Sequence, residues 1–200
     1  MLKMGITGSM ASGKSTVLNI LNSEYGFCVI SSDEIVRKLQ QPGRIFWRFM
    51  KKNWGDEFIK EDSSIDRRKM AARLLEKKSF REQVENFTHP VVLKKINEKF
   101  KEWQKKGCRA AAAEVPLLFE AGGEGMFDVV LLLFASEKEL VKRIKEERDV
   151  DEKDAGRWLK IQMPQEEKKR RADFILDGGE PLDKEKERLK EIMREILEEK

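Results

Sequence analysis

The chain has 200 residues, of which 39% are charged, yet its formal net charge is only +4. That length supports one α/β domain with a sizeable core and a smaller insert. Balanced charge argues against a nucleic-acid-binding face, since the basic runs (Lys51-Lys52, Arg67-Arg68-Lys69, Lys168–Arg171) are short and interleaved with acids. No apolar run approaches a membrane span, and the opening residues read as a strand, not a leader. Cys28 and Cys108 are far apart in sequence and match no metal spacing; they read as buried free thiols of a reducing cytoplasm.

Leu2, Met4 and Ile6 form a short apolar strand. The run Gly8 to Thr16 then matches G-x-x-x-x-G-K-S/T without a gap. Gly8 and Gly13 let the backbone turn tightly and approach a ligand. Successive N–H groups from Gly8 through Ala11, Ser12 and Gly13 to Lys14, Ser15 and Thr16 are positioned to cradle phosphate at the positive end of the following helix. Lys14 supplies a point charge for the β/γ-phosphates, and the Ser15 hydroxyl a ligand for Mg²⁺. Val17, Leu18, Ile20 and Leu21 give that helix a buried face.

A second strand, Phe27–Ile30, leads to Ser31-Ser32-Asp33 and a helix marked by Ile35, Val36 and Leu39. Asp33, at a strand's carboxyl end, has two readings: a functional carboxylate looking toward the phosphate loop, or the cap of the helix that starts there. From Gly43 to Lys106 the pattern is helical throughout, with Pro90 predicting a kink near His89, the one histidine of the chain. Such a length is too great for an ordinary crossover and implies an inserted helical subdomain. Arg109–Val115 and Val129–Ala135 are further strands, the second apolar enough for the centre of a parallel sheet. Ser136-Glu137-Lys138-Glu139 has capping-box form and opens a helix through Arg148. Residues 149–171 are strongly charged and carry little to bury, so they read either as a mobile lid whose arginines meet phosphate or as a solvated helical hairpin. Phe174–Leu176 is the last strand, followed by an amphipathic helix. The fold class is therefore α/β: a P-loop three-layer fold with about five parallel strands, helices on both sides and the phosphate site at the carboxyl edge.

The order of several motifs resembles the dephospho-CoA kinase family, within the P-loop kinases related to nucleoside-monophosphate kinases. They are the loop itself, Asp33-Glu34-Ile35-Val36-Arg37, Ile65-Asp66-Arg67, His89-Pro90, Pro116-Leu117-Leu118-Phe119-Glu120, Gln162-Met163-Pro164 and Ala172-Asp173. Thr-His-Pro followed by Pro-Leu-Leu-Phe-Glu is the most specific part. The resemblance implies transfer of the γ-phosphoryl of ATP, with Mg²⁺, to the ribose 3′-hydroxyl of dephospho-CoA, by a cytoplasmic monomer or small homo-oligomer that engages neither nucleic acid nor membrane. It implies Asp33 as general base, and Arg37, Arg67, His89, Pro116 and Leu117 on the acceptor side. Arg143 and Arg148 become catalytic lid arginines, and Arg157 and Asp177 nucleotide contacts. The division it implies is a core of residues 1–34, 107–136 and 172–200, an acceptor subdomain at 35–106 and a lid at 137–171.

The chain also departs from the family pattern. Ser31 stands where a first carboxylate is usual, leaving Ser15, the triphosphate and Glu114 as Mg²⁺ partners. Ser9 and Ala11 replace loop glycines. Counted back from Gln162, the second lid arginine falls on Glu147 with Arg148 beside it, and Arg157 is one place off. Asp177 stands where the family has Asn. A kinase of a nucleoside or nucleotide is the alternative enzyme. A regulatory GTP switch is disfavoured, because no Asn precedes Lys and no Gly follows Asp by three.

Overall fold

The computed structural model describes residues 1–148 and 150–198, the side chains of Glu147 and Arg148 excepted. Two compact units partition it, residues 1–29 with 102–200 and residues 30–101. The elements in chain order are β1 (Leu2–Thr7), α1 (Lys14–Tyr25), β2 (Cys28–Ser31), α2 (Ser32–Leu39), α3 (Ile45–Trp54), α4 (Arg67–Glu76), α5 (Lys78–Lys105) and β3 (Ala110–Glu114). There follow β4 (Val129–Phe134), α6 (Glu137–Arg148), α7 (Glu152–Lys160), α8 (Gln165–Arg171), β5 (Phe174–Asp177) and α9 (Leu182–Glu198).

The strands form one sheet in the order β2-β3-β1-β4-β5. β1 runs parallel to both neighbours, with Gly5 opposite Ala113 on one side and Val130 on the other. A middle strand must be apolar on both faces, and Met4 and Ile6 are fully buried, as are Leu131, Leu132 and Leu133 of β4. Ala111, Ala112 and Ala113 are buried too, their small side chains lying in the strand that α1 packs against. Val17 and Leu21 of α1 and Leu189, Ile192 and Met193 of α9 close over the sheet. Each such side chain contributes about 1.5–3 kcal/mol on full burial. α1 stops at Gly26, whose φ of 68° lets its N–H reach back to the Leu21 carbonyl.

The helical unit has its own core of Phe46, Met50, Phe58, Met70, Phe80 and Val84. Phe49 and Phe87 stack at 3.9 Å, and Trp54 meets Phe80 edge-on at 4.7 Å. Continuous helix is not what the structure shows between Gly43 and Lys106. The chain leaves α3 at Gly55 and makes a turn closed by an antiparallel bridge between Ile59 and Ile65. Asp62-Ser63-Ser64 supplies the turn chemistry: the Asp62 carboxylate accepts from the Ser64 N–H and hydroxyl, and Ser63 takes a φ of 65°. α5 continues through Pro90 without a break in helix. Among the described residues no helix is long and apolar enough to cross a membrane.

The free-thiol expectation for the cysteines is corrected. Cys28 heads β2, Cys108 precedes β3, and these neighbouring strands bring the pair into a disulfide with Cα atoms 6.7 Å apart. Sequence separation concealed the match because the two cysteines stand 80 positions apart, with the whole helical unit between them. Closing a loop of that length removes about 4 kcal/mol of unfolded-chain entropy. Replacing both residues, Cys28→Ser with Cys108→Ser, is therefore expected to lower the unfolding free energy by about 2–4 kcal/mol. Denaturant titration with and without reductant checks this, and a wild-type protein indifferent to reductant would refute it.

Candidate active site

Backbone conformation shapes the loop between β1 and α1. Gly8 has φ 143°, and a Cβ there would lie 2.4 Å from the Leu133 carbonyl oxygen; Gly13, at φ 94°, precedes the helix. Ala11 is left-handed as well, at φ 61°, a strained setting for a residue with a Cβ. No side chain caps α1; the Thr16 and Val17 N–H groups donate to the Gly13 carbonyl, and the helix turns its positive end to the loop. Lys14 is buried with its Nζ donating to the Ser9 carbonyl at 2.6 Å and to Ser12 Oγ at 3.4 Å. Ser12 is fully buried, whereas Ser15 and Thr16 are exposed. The Ser15 hydroxyl donates to Glu114 Oε1 at 3.2 Å, which pairs two hard oxygen ligands at the carboxyl end of β3.

Two further elements close on the loop. Arg143 of α6 donates to the Ala11 carbonyl at 3.4 Å while holding Glu139 at 3.0 Å. The turn after β5 packs tightly behind it: a Cβ on Gly178 would come within 2.3 Å of the Ser12 carbonyl oxygen. Asp177, at the start of that turn, accepts from the Gly179 N–H at 2.8 Å. Arg157 is turned to Asp154 of its own helix at 3.1 Å. The Arg148 side chain lies outside the described residues.

Pro116 and Leu117 begin the segment after β3. Its Pro116 carbonyl accepts from Thr7 Oγ1 at 3.3 Å and from Lys168 Nζ at 3.2 Å. Lys168 has no solvent exposure and also pairs with Glu120 at 2.9 Å, while the same carboxylate accepts from the Met163 N–H. Arg171 pairs with Glu124 and lies over the Phe119 ring. The reading of 149–171 as a segment with little to bury is thus corrected at α8, whose basic run clamps the 116–124 segment. Nothing in a Lys-Lys-Arg-Arg string distinguishes the buried lysine from the exposed ones.

In the helical unit, Asp33 is not the cap of α2. Ser31 is, its hydroxyl accepting from the Asp33 N–H at 3.3 Å, and this leaves the exposed Asp33 carboxylate free of capping. Arg37 and Arg67 line one cavity. His89 is half-buried within α5.

Glu185 of α9 was not singled out from sequence. It is 7% exposed, with Oε1 unpartnered and close behind Gly13. Burial pushes its carboxyl above the ordinary range; Arg143 pulls it back and Asp177 adds to the rise. Its signal is an acid in register with the buried stripe of Leu189, Ile192 and Ile196.

A glycine-bounded amide cradle, with a lysine at the head of its helix, on a parallel α/β sheet, defines a P-loop nucleotide-binding protein. The family model described as dephospho-CoA kinase (CoaE) matches residues 2–183. The chain belongs to the dephospho-CoA kinase family. It is 35% identical to the dephospho-CoA kinase of Corynebacterium glutamicum over 98% of its own length and all of that protein's. Among solved structures it is similar to TT1252 from Thermus thermophilus, with TM-score 0.79, 27% identity and 97% of each chain covered. It also resembles the dephospho-CoA kinase of Campylobacter jejuni, with TM-score 0.67, 28% identity, and 97% and 96% of the two chains covered.

The raised Glu185 carboxyl has a defined sign. The folded state holds that proton more tightly than the unfolded chain, so stability falls as pH climbs from the ordinary glutamate range, about 4.3, toward the raised folded value. Glu185→Gln is expected to lack this decline and to unfold at a higher temperature than wild type at neutral pH. Thermal unfolding followed from acid to neutral pH checks it, and a variant less stable at pH 7 would contradict the assignment.

Proposed function

We propose that the chain transfers the γ-phosphoryl of ATP to the ribose 3′-hydroxyl of dephospho-CoA by direct in-line displacement, with the residue roles given below. Family membership supports the reaction, and the observation that carries the assignment of roles is the uncapped start of α1 with Lys14 folded into the loop. A triphosphate entering there meets amides with no competing side-chain oxygen. Its β- and γ-oxygens can replace the Ser9 carbonyl as the partner of Lys14, so the lysine exchanges one oxygen ligand for another without moving into the open.

Because the transition state of phosphoryl transfer is loose, positioning and charge neutralisation supply most of the rate. Lys14 and Arg143 are the cations proposed to take up charge on the phosphoryl group, with Arg148 and Arg157 as further lid arginines. Arg143 reaches the loop backbone from α6, which supports residues 137–171 as the lid. Asp177 is proposed on the nucleotide side. Ser15 and Glu114 present the oxygen ligands that suit Mg²⁺, a cation that keeps several waters and takes one or two protein ligands beside substrate phosphates. Bound there, it would neutralise charge on the β- and γ-phosphates.

Asp33 is proposed to accept the proton of the 3′-hydroxyl as that oxygen bonds to the γ-phosphorus and the bond from phosphorus to the β–γ bridging oxygen breaks, releasing ADP. An exposed carboxylate not spent on a helix cap is suited to that task. Arg37, Arg67, His89, Pro116 and Leu117 are the proposed acceptor contacts, with residues 35–106 as the acceptor subdomain.

Mass spectrometry of dephospho-CoA incubated with ATP, Mg²⁺ and the protein should show one added phosphate at the ribose 3′ position. A panel of nucleosides and nucleotides should stay unmodified. Asp33→Asn should bind ATP normally and turn over about 10²–10⁴-fold more slowly; full turnover would remove Asp33 from the base role. Lys14→Ala should lose transfer, and an active variant would overturn the phosphate-site assignment.

A further inference from the structure

The helical unit carries an open cavity of about 340 Å³, and four of its nine lining residues are cations. Arg37 comes from α2, Lys60 and Ser64 from the bridged turn, and Arg67 with Arg68 from the first turn of α4. No carboxylate lines it. All four cations are exposed, and none has an ion-pair partner within 4 Å among the described residues. The acid that feels Lys60 is Asp62, and its carboxylate is committed to Ser64.

One neutral donor joins them. Gln40 closes α2, is 8% exposed and is one of the residues lining the cavity. Like charges lining one cleft repel one another, and an anion rich in acceptor oxygens relieves that repulsion. The guanidinium groups of Arg37, Arg67 and Arg68 are forks that match phosphate oxygens two at a time, and Lys60 adds a point charge.

The size and lining narrow the anion further. A single orthophosphate would engage a fraction of the donors, whereas two linked phosphoryl groups can engage all four cations and the amide. We propose that this cavity is a diphosphate-binding subsite, and that Lys60, Arg68 and Gln40 are specificity residues which grip the diphosphate bridge of the acceptor. The proposal rests on the acceptor reading above. It explains why the acceptor would be a nucleotide carrying a diphosphate ester instead of a simple nucleoside.

The test is steady-state kinetics on the full chain at saturating ATP. The double variant Lys60→Gln with Arg68→Gln should raise KM for dephospho-CoA at least about tenfold, as expected for loss of charge-assisted hydrogen bonds, and leave KM for ATP unchanged. Inorganic pyrophosphate should compete with dephospho-CoA in wild type, inhibit more strongly than orthophosphate, and lose potency against the double variant. Thermal unfolding of that variant should match or exceed wild type, because repulsion is relieved. An active wild type whose double variant keeps its KM for dephospho-CoA overturns this proposal alone, as does orthophosphate inhibiting as strongly as pyrophosphate. A wild type that leaves dephospho-CoA unmodified overturns the acceptor reading and this assignment together.

Discussion

The nucleotide half of the structure depends on backbone reaching backbone at the loop between β1 and α1. Amides can serve an anion only if nothing else occupies them, so the loop must be held from behind without side chains intruding. Gly8 meets the Leu133 carbonyl and Gly178 meets the Ser12 carbonyl at distances where any Cβ would collide. β4 and the turn after β5 therefore act as a rigid wall. The buried leucines of β4 keep that wall in place, which is how core packing in the sheet becomes precision in the phosphate site. Ala11 shows the same demand from the other side: its left-handed backbone is strained, and it persists because the surrounding loop leaves no alternative path.

A second constraint is electrostatic. Lys168 lies wholly inside the protein, tied to Glu120 and the Pro116 carbonyl, and Pro116 is in turn held by Thr7 at the end of β1. Removing either partner of a buried pair leaves the other charge uncompensated, at a cost of about 3–5 kcal/mol. The pair thus adds little net stability over an apolar equivalent but strongly fixes geometry, locking the Pro-Leu-Leu-Phe-Glu segment to the strand that launches the phosphate loop. Orphaned polar atoms on Glu120, Gln162 and Gln165 border this cluster, so the network is only partly satisfied by the protein itself.

The sequence was most legible where a motif prescribes backbone shape. Gly8, Gly13 and Lys14 stand as the spacing demands, all five strands were placed to within a residue or so, and Ser136 caps α6 as its pattern indicates. What escaped was whatever depends on long-range proximity. Periodicity could not show that Cys28 and Cys108 meet, because strand order is decided by crossovers and not by local pattern. It could not separate Lys168 from Lys169, although one is buried and the other stacks on Phe134. Asp33 was ambiguous between cap and catalyst; its neighbour two positions back resolves the capping half, since only the position of Ser31 before the helix lets a hydroxyl reach the Asp33 N–H. The helix pattern over 43–106 failed at the one place where turn formers gather, residues 62–64.

That interruption matters because it creates the cation-lined cavity. Had the chain continued as helix from α3 to α4, Lys60 would have projected from a solvated face, where a lysine normally finds a glutamate three or four places away. The bridged turn instead carries Lys60 and Ser64 back beside the first turn of α4, next to Arg67 and Arg68. Elsewhere the chain pairs its charges at helical spacing, as Lys95 with Glu98 and Lys106 with Glu102 do. What sets the four cations apart is that they line one cleft with no carboxylate among its lining residues, and like charges held together oppose folding. Such a cluster is retained when something other than folding requires it, and a doubly charged phosphate ester is the occupant whose charge and oxygen count answer it.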